Sequence, residues 1–224
     1  MPRTYHSPLR AAEAASTRTR IITAAASLFV RDGYGATSFR AIAAHAGVSV
    51  PTVQLQGPKH ALLIAAFEVS FAGDEGTHPL TERPHVAQIM AEPDTDTALD
   101  RYVEFLVDAN ARTAALTRVM MAAADSDPAA RTAYEDLEQR RHRDMRLAAG
   151  WFASRDRISP DEIDVAADLL GHVTGADSYL HFTGACGWSP ARYGAWLTGE
   201  LHHLGHACAV ALTGDDRLDR LTPP

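Results

Sequence analysis

Apolar positions in the first third of the chain recur at the spacing of an α-helix. Four of them share one face of a helix predicted over residues 17–31, at i, i+4, i+7 and i+8: Ile21, Ala25, Leu28 and Phe29. Gly33 and Gly35 end this helix, since glycine accepts the left-handed backbone of many helix exits. The chain therefore begins its fold with an amphipathic helix.

Two short helices and a tight turn are predicted next. Thr37 or Ser38 can cap a helix that closes near His45, because a side-chain oxygen satisfies a free backbone N–H there. Gly47 then supplies the turn, and Ser49 can cap the following helix. A short helix, a glycine turn and a second short helix are the sequence pattern of a helix-turn-helix.

The remainder of the chain is predicted to be helical as well. A fourth helix runs over 59–72, and the Gly- and Pro-rich stretch 73–95 is a linker with one short helix at 86–90. Three later helices have a capping residue before proline: Asp127-Pro128, Ser159-Pro160 and Ser189-Pro190. Ser159 with Glu162 also fits a capping box. Beyond the linker the predicted helices are 95–111, 113–124, 128–153, 160–184 and 190–213. No segment alternates with a period of two, so no strand is predicted.

Charge is distributed unevenly along the chain, whose net charge is −7. Residues 1–60 carry seven basic and two acidic side chains, so this segment is positive by five charges while the remainder is negative by twelve. Such asymmetry is typical of a nucleic-acid-binding end joined to an acidic body, although uneven solvated faces would give it too. No apolar run approaches the ~18 residues of a membrane span. The start of the chain lacks the apolar core of a secretory signal, and the two cysteines form no paired framework, so a cytoplasmic protein is expected.

The segment TRTRIITAAASLFVRDGYGATSFRAIAAHAGVSVPTVQLQGPKHALLIAAFEV (17–69) resembles the N-terminal domain of the tetracycline-repressor (TetR) family of transcription regulators. The matching positions are Phe29, Gly33, Tyr34, Thr37, Ile42, Ala43, Ala46, Gly47, Val48, Ser49, Thr52, Val53, Lys59 and Leu62. The resemblance implies an all-α fold with an N-terminal three-helix DNA-binding domain that contains the helix-turn-helix. A C-terminal helical bundle for ligand binding and dimerisation would follow. The expected domains are 1–72 for DNA, 73–94 as a connecting segment and 95–224 for ligand and dimer.

The DNA-contacting side chains are expected on the helix-turn-helix and at the start of the fourth helix. Hydroxyl groups and free N–H groups at a helix N-terminus suit phosphate oxygens, glutamine can read an adenine edge, and threonine or valine can touch a thymine methyl. Lys59 carries the one ammonium side chain of the chain, also near a helix start. The candidates are Thr37, Ser38, Arg40, Ser49, Val50, Thr52, Gln54, Gln56 and Lys59.

The recognition segment departs from the family pattern. Val50 and Pro51 stand where many members have Lys-Gly, the family's Tyr and aromatic pair are replaced, and one residue before Gly57, the family's Phe, is missing. Two hypotheses follow: a repressor released from a palindromic operator by a small molecule, or a TetR-like ligand-binding or interaction module that has lost specific DNA binding. If the chain does bind DNA, the recognition helix is expected to be short and weakly anchored.

The C-terminal half offers candidates for a ligand pocket and a dimer interface. Side chains that combine bulk with a few polar tips are typical of small-molecule cavities, although each also fits an ordinary core. The pocket candidates are Phe105, Met120, Met121, Trp151, Phe152, His172, Asp177 and Tyr179. An apolar stripe on the last helix predicts a homodimer interface, unless it packs within its own chain: Tyr193, Trp196, Leu197, Leu201 and Leu204.

A metal-dependent enzyme is the less favoured alternative. His202 and His206 lie one helical turn apart, with Glu200 and His203 nearby. The stretch HHLGH lacks the glutamate of HExxH, and no cysteine or aspartate completes a ligand set at the right spacing. No catalytic residue, metal or cofactor is therefore predicted. The expected partners are an operator in double-stranded DNA, a small-molecule effector and a second copy of the chain.

Overall fold

The computed structural model describes residues 8–218, and within them the chain forms α-helices with no strand. The α-helices are α1 (Pro8–Ala36), α2 (Phe39–Ala46), α3 (Val50–Gln54), α4 (Lys59–Ala72), α5 (Pro84–Met90), α6 (Thr95–Ser126), α7 (Pro128–Ser154), α8 (Ile163–Val173), α9 (Ala176–Leu180), α10 (Pro190–His202) and α11 (Leu204–Leu218). Two 3₁₀ turns (Leu80–Glu82 and Pro160–Glu162) and a π turn (His181–Ala185) complete them. The all-α prediction is confirmed. No described helix has the length and hydropathy needed to cross a membrane.

The predicted apolar face of α1 is the centre of the N-terminal core. Ile21, Ala25, Leu28 and Phe29 are all buried, and so are Ile42 of α2, Val53 of α3 and Leu62 of α4. The helix extends beyond the predicted bounds to Pro8–Ala36, with a kink where Gly33 adopts a φ of 79°. The hydrophobic pattern therefore identified the buried positions of this core correctly.

The described chain divides into two compact units. The first contains the residues up to Glu75 together with Ala115–Asp136, and the second contains Gly76–Ala114 together with the residues from Leu137 onward. The adjoining ends of α6 and α7 thus group with the N-terminal helices. Within the first unit, Tyr34 hydrogen-bonds to Asp127 at the α6–α7 junction, a contact between residues 93 positions apart.

Helix starts were easier to predict than helix breaks. The Asp127 carboxylate accepts a hydrogen bond from the backbone N–H of Ala129 at 2.9 Å, the Ser159–Glu162 capping box is present, and Ser189 caps α10. The break expected near residue 112 does not occur: α6 is continuous, and within it the Thr113 hydroxyl donates to the carbonyl oxygen of Ala109 at 2.7 Å instead of capping a new helix.

Two predicted long helices are interrupted. The segment 160–184 breaks between α8 and α9 at Gly175, where an added Cβ would lie 2.8 Å from Nη2 of Arg141 and 3.0 Å from the carbonyl oxygen of Gly171, so a larger residue would crowd this turn. The segment 190–213 divides at His203, which has a φ of −98° and a ψ of 9° between α10 and α11. Neither break has a proline to announce it in the sequence.

Candidate nucleic-acid interface

The turn between α2 and α3 has the geometry of a helix-turn-helix. Ser38 caps α2, with its side chain accepting a hydrogen bond from the N–H of Ala41 at 3.2 Å. Gly47 ends α2 in the left-handed conformation, with a φ of 65°, and its N–H bonds back to the helix carbonyls. A side chain at that φ would be strained, so this turn explains the glycine. Ser38 itself is exposed, at the N-terminal end of α2.

Helix α3 has about one and a half turns, and its outer face carries polar side chains. Ser49 caps it by accepting from the N–H of Thr52, and the two hydroxyl oxygens lie 2.7 Å apart. Val53 faces inward and is fully buried, while Gln54 beside it is exposed. Val50 and Thr52 are half-buried and Ser49 is exposed. The predicted reading edge is thus accessible, with Gln54 as its longest polar side chain.

Leu55, directly after α3, was not among the sequence candidates. Its side chain is 85% exposed, the highest value among the large apolar residues that the structure describes as exposed. It contributes no packing to α3, and its apolar surface lies next to the exposed Gln54. Its exposure marks Leu55 as an accessible residue of the candidate interface, and a single sequence does not report exposure.

Thr37 has a structural position rather than the phosphate-facing one expected. The residue is 2% exposed, and its hydroxyl donates to the carbonyl oxygen of Gly33 at 2.8 Å. The hydroxyl therefore bonds to the kink at Gly33 near the end of α1 and is turned away from solvent. The sequence assignment of Thr37 as a DNA contact is corrected, since its cap-like position did not specify which backbone group the hydroxyl would meet.

The two predicted phosphate-binding cations differ in their surroundings. Arg40 is exposed on α2 and forms no hydrogen bond or ion pair with any described residue. Lys59 lies at the start of α4, where Nζ donates to the carbonyl oxygen of Tyr34 at 2.9 Å and sits 4.1 Å from the centre of that ring. Arg40 is free to meet a phosphate, whereas Lys59 also joins α4 to the end of α1.

Gln56 is held by Arg18, a basic residue of α1 that is not among the predicted site residues. Arg18 Nη1 donates to both the side-chain Oε1 of Gln56, at 3.1 Å, and its carbonyl oxygen, at 3.2 Å. The other guanidinium N–H groups bond to Glu75, and this contact raises the pKa of Arg18. The amide oxygen of Gln56 is thus already occupied, which weakens its case as a base-reading residue.

The expected pocket residues are distributed over both units. Met120 is buried in the first unit, and Met121 is 40% exposed there. In the second unit, Phe152 and Tyr179 are buried and Phe105 is half-buried against the ring of His85. The half-buried Trp151 donates from Nε1 to the carbonyl oxygen of Met90 at 2.9 Å. His172 and Asp177 lie at the surface. The exposed Met121, His172 and Asp177 do not line an enclosed core, because helix periodicity did not fix which face is buried.

Tyr193 is the centre of an aromatic cluster in the second unit. Its hydroxyl donates to the carbonyl oxygen of Val173 at 2.8 Å, and burial raises its pKa. The ring of Tyr179 meets it edge-on at 5.3 Å, while Phe182 lies between Trp188 and Trp196 at 4.4 Å and 4.5 Å. Another buried phenol, Tyr102, has its pKa raised to about 12 by desolvation.

The stripe assigned to a dimer interface packs mostly within its own chain. The side chains of Tyr193, Leu197, Leu201 and Leu204 are buried in the single chain, as the alternative interpretation had it. These four residues are therefore corrected: they cannot face a second copy. Trp196 is half-buried, and on α11 the side chains of Val210 and Leu212 are exposed.

The histidine-rich stretch near the end of α10 forms no evident metal site. His203 Nδ1 lies 2.7 Å from the carbonyl oxygen of Gly199, and His202 lies 3.8 Å from the carboxylate of Asp96. Within residues 8–218, no three side chains of histidine, cysteine, aspartate or glutamate are grouped as metal ligands.

Helices α2 and α3 have the helix-turn-helix arrangement in which DNA-binding proteins present a recognition helix. Residues 21–55 match the family model of bacterial regulatory proteins, tetR family. The match falls within the segment 17–69 that resembles this family, and the resemblance drawn from the sequence is confirmed. A comparison with curated proteins finds no match.

Solved structures extend the similarity of fold over most of the chain. A TetR-family transcriptional regulator from Mesorhizobium loti is 21% identical, with a TM-score of 0.64 over 89% of this chain and 97% of its own. A transcriptional regulator from Saccharomonospora viridis, in complex with choline, is 19% identical with a TM-score of 0.62 over 84% and 97%. A TetR-family regulator from Syntrophomonas wolfei is 16% identical with a TM-score of 0.65 over 84% and 94%. At these identities the likeness shows the fold.

Proposed function

We propose that the protein is a ligand-responsive repressor that acts in the cytoplasm, binds a palindromic operator as a homodimer and is released by a small molecule. The observation that carries the DNA-reading role is the exposed Gln54 on α3, directly beside the buried Val53 that fixes this face outward. A glutamine in a major groove can bond to both the N6 and N7 edge atoms of adenine. Ser49, Val50 and Thr52 would flank it, and Ser38 and Arg40 would meet phosphates.

A binding selection tests the DNA-reading role. The full-length protein is incubated with a random duplex pool and, separately, with fragments of its own upstream region, and bound duplexes are sequenced. An enriched inverted repeat, with half-sites about one helical turn apart, supports the proposal. Equal recovery of all duplexes at every salt concentration would contradict it.

The second candidate function is a TetR-like ligand-binding or interaction module without sequence-specific DNA binding. The shortness of α3, at five residues, and the engagement of the Gln56 side chain by Arg18 favour it, because fewer side chains remain to read bases. The same selection separates the two candidates, since this module would show no preferred sequence.

The effector is proposed to bind in the second unit, near the buried or half-buried Phe105, Trp151, Phe152 and Tyr179. Choline, the ligand of the S. viridis regulator, is a reasonable first probe because aromatic faces attract quaternary ammonium groups. A binder should raise the Tm, by an amount that grows with the logarithm of its concentration above the Kd, and it should release bound DNA. A compound that raises the Tm but leaves DNA binding unchanged would contradict the proposed coupling. We propose no enzymatic activity and no cofactor.

A further inference from the structure

The guanidinium group of Arg18 joins three separate segments of the first unit. Nε and Nη2 donate to the two carboxylate oxygens of Glu75, at 2.7 Å and 2.5 Å, which is the bidentate arrangement of a strong ion pair. Nη1 donates to the carbonyl oxygen and the side-chain oxygen of Gln56, at 3.2 Å and 3.1 Å. One side chain of α1 therefore holds both the segment after α3 and the segment after α4.

Helix α3 has little else to hold its C-terminal end. Val53 is the buried residue of this five-residue helix, and Leu55 is turned into solvent. Arg18 thus makes the side-chain hydrogen bonds at the end of the recognition helix, to Gln56.

We propose that Arg18 is a positioning residue of the recognition helix, and that Glu75 keeps the guanidinium group of Arg18 directed at Gln56. This inference rests on the proposed DNA-reading function. With its charge matched by Glu75, Arg18 is not available as a phosphate contact. It instead fixes the orientation of α3, and with it the angle at which Gln54 meets a base edge.

Replacement of the acidic partner distinguishes positioning from simple electrostatics. Glu75→Gln removes a negative charge from the DNA-binding unit, so electrostatics alone predicts tighter binding to every duplex. Positioning predicts the opposite for the operator, because the neutral amide holds Arg18 less firmly. Asp32→Asn is the matched control: Asp32 forms a similar ion pair, with Arg31 at 2.7 Å, but has no connection to α3.

The experiment measures affinity for the selected operator and for random duplex by fluorescence anisotropy, using the full-length chain over a range of salt. We expect Glu75→Gln to reduce the ratio of operator to random affinity about tenfold, the size of one lost base contact, and Asp32→Asn to leave that ratio unchanged. Arg18→Lys should resemble Glu75→Gln, since an ammonium cannot bond to Glu75 and Gln56 in the same geometry. An unchanged or increased ratio in Glu75→Gln would overturn the proposal.

Hydrogen exchange tests the same inference without DNA. The amides of residues 53–57 should exchange faster in Glu75→Gln than in the unmodified protein, whereas those in the middle of α1 should not. Equal exchange at 53–57 would overturn the positioning role even if the operator ratio falls. If the unmodified protein prefers no duplex, the proposed function fails, and the exchange measurement still decides the role of Arg18.

Discussion

The hydroxyl of Tyr34 donates a hydrogen bond to the carboxylate of Asp127 at 2.8 Å, across 93 residues of the chain. Tyr34 lies in the last turn of α1 and also receives Lys59 on its ring, while Asp127 caps α7. Burial, together with the bond to Asp127, raises the pKa of Tyr34, and the bond from Tyr34 lowers the pKa of Asp127. One pair of side chains therefore links the helix-turn-helix region to the α6–α7 junction of the same unit.

Tyr34→Phe should lower the Tm at neutral pH, because Asp127 loses the donor that stabilises its charged form. A carboxylate whose pKa is lowered by folding stabilises the folded state. This contribution to the free energy of unfolding is present above the ordinary pKa of about 4 and is lost as the pH falls through the lowered value. The Tm difference between Tyr34→Phe and the unmodified protein should therefore shrink in acid. Thermal unfolding followed by circular dichroism at several pH values measures it.

Tyr193→Phe is the control for this titration. Its hydroxyl also donates a 2.8 Å hydrogen bond, but the acceptor is the neutral carbonyl of Val173. The Tm difference for this variant should stay constant over the same acid range. If the Tm differences of both variants change alike with pH, the hydrogen bond between Tyr34 and Asp127 does not cause the pH dependence.

Gln54→Ala should weaken binding to the selected operator by about 1–3 kcal/mol and change binding to random duplex little, because a bidentate base contact is lost. Gln88→Ala is the matched control, since Gln88 is an exposed glutamine on α5 of the second unit. Competition gel shifts with operator and random DNA provide the measurement. Equal losses of affinity for both duplexes would assign Gln54 to a contact with the DNA backbone instead.

Arg40→Ala and Lys59→Ala should both weaken binding across all sequences, but only the second should also lower the Tm. The exposed Arg40 guanidinium has no described partner to lose, whereas Lys59 donates to the carbonyl oxygen of Tyr34. For Arg40→Ala the slope of log affinity against log salt should fall by about one. Arg143→Ala, at an exposed arginine of the second unit, should leave the slope unchanged. An unchanged slope in Arg40→Ala would exclude a phosphate contact.

Local rules predicted those parts of the fold that depend on neighbouring residues. The burial of Ile21 and Phe29 follows from helical spacing, and the caps at Ser159 and Ser189 follow from one side chain and the turn beside it. The continuity of α6 through Thr113 could not be predicted in this way. A threonine hydroxyl can cap a new helix or bond to the preceding turn, and only the surrounding packing decides between them.

The position of the candidate interface could be predicted from the sequence, but the hydrogen bonds that hold it in place could not. Gln54 and Arg40 follow from the helix-turn-helix pattern, and both are exposed. The roles of Arg18 and Tyr34 depend on partners 57 and 93 residues away, which no spacing rule reveals. The apolar stripe on α10 was ambiguous for the same reason, since periodicity marks a buried face without saying whether the chain or a partner covers it.

Val210→Glu should convert a homodimer to monomers, because Val210 is 56% exposed on α11 and the residues first assigned to the interface are buried within their own chain. A buried charge against the second copy would lack a partner, so association would weaken while the single chain stays folded. Leu147→Glu is the matched control, since Leu147 of α7 in the second unit is 47% exposed. Light scattering should show half the mass for Val210→Glu only, and operator affinity should fall with it because one half-site binds weakly alone. A dimer that survives Val210→Glu would place the interface elsewhere on the chain, whereas a monomeric unmodified protein would contradict the homodimer itself.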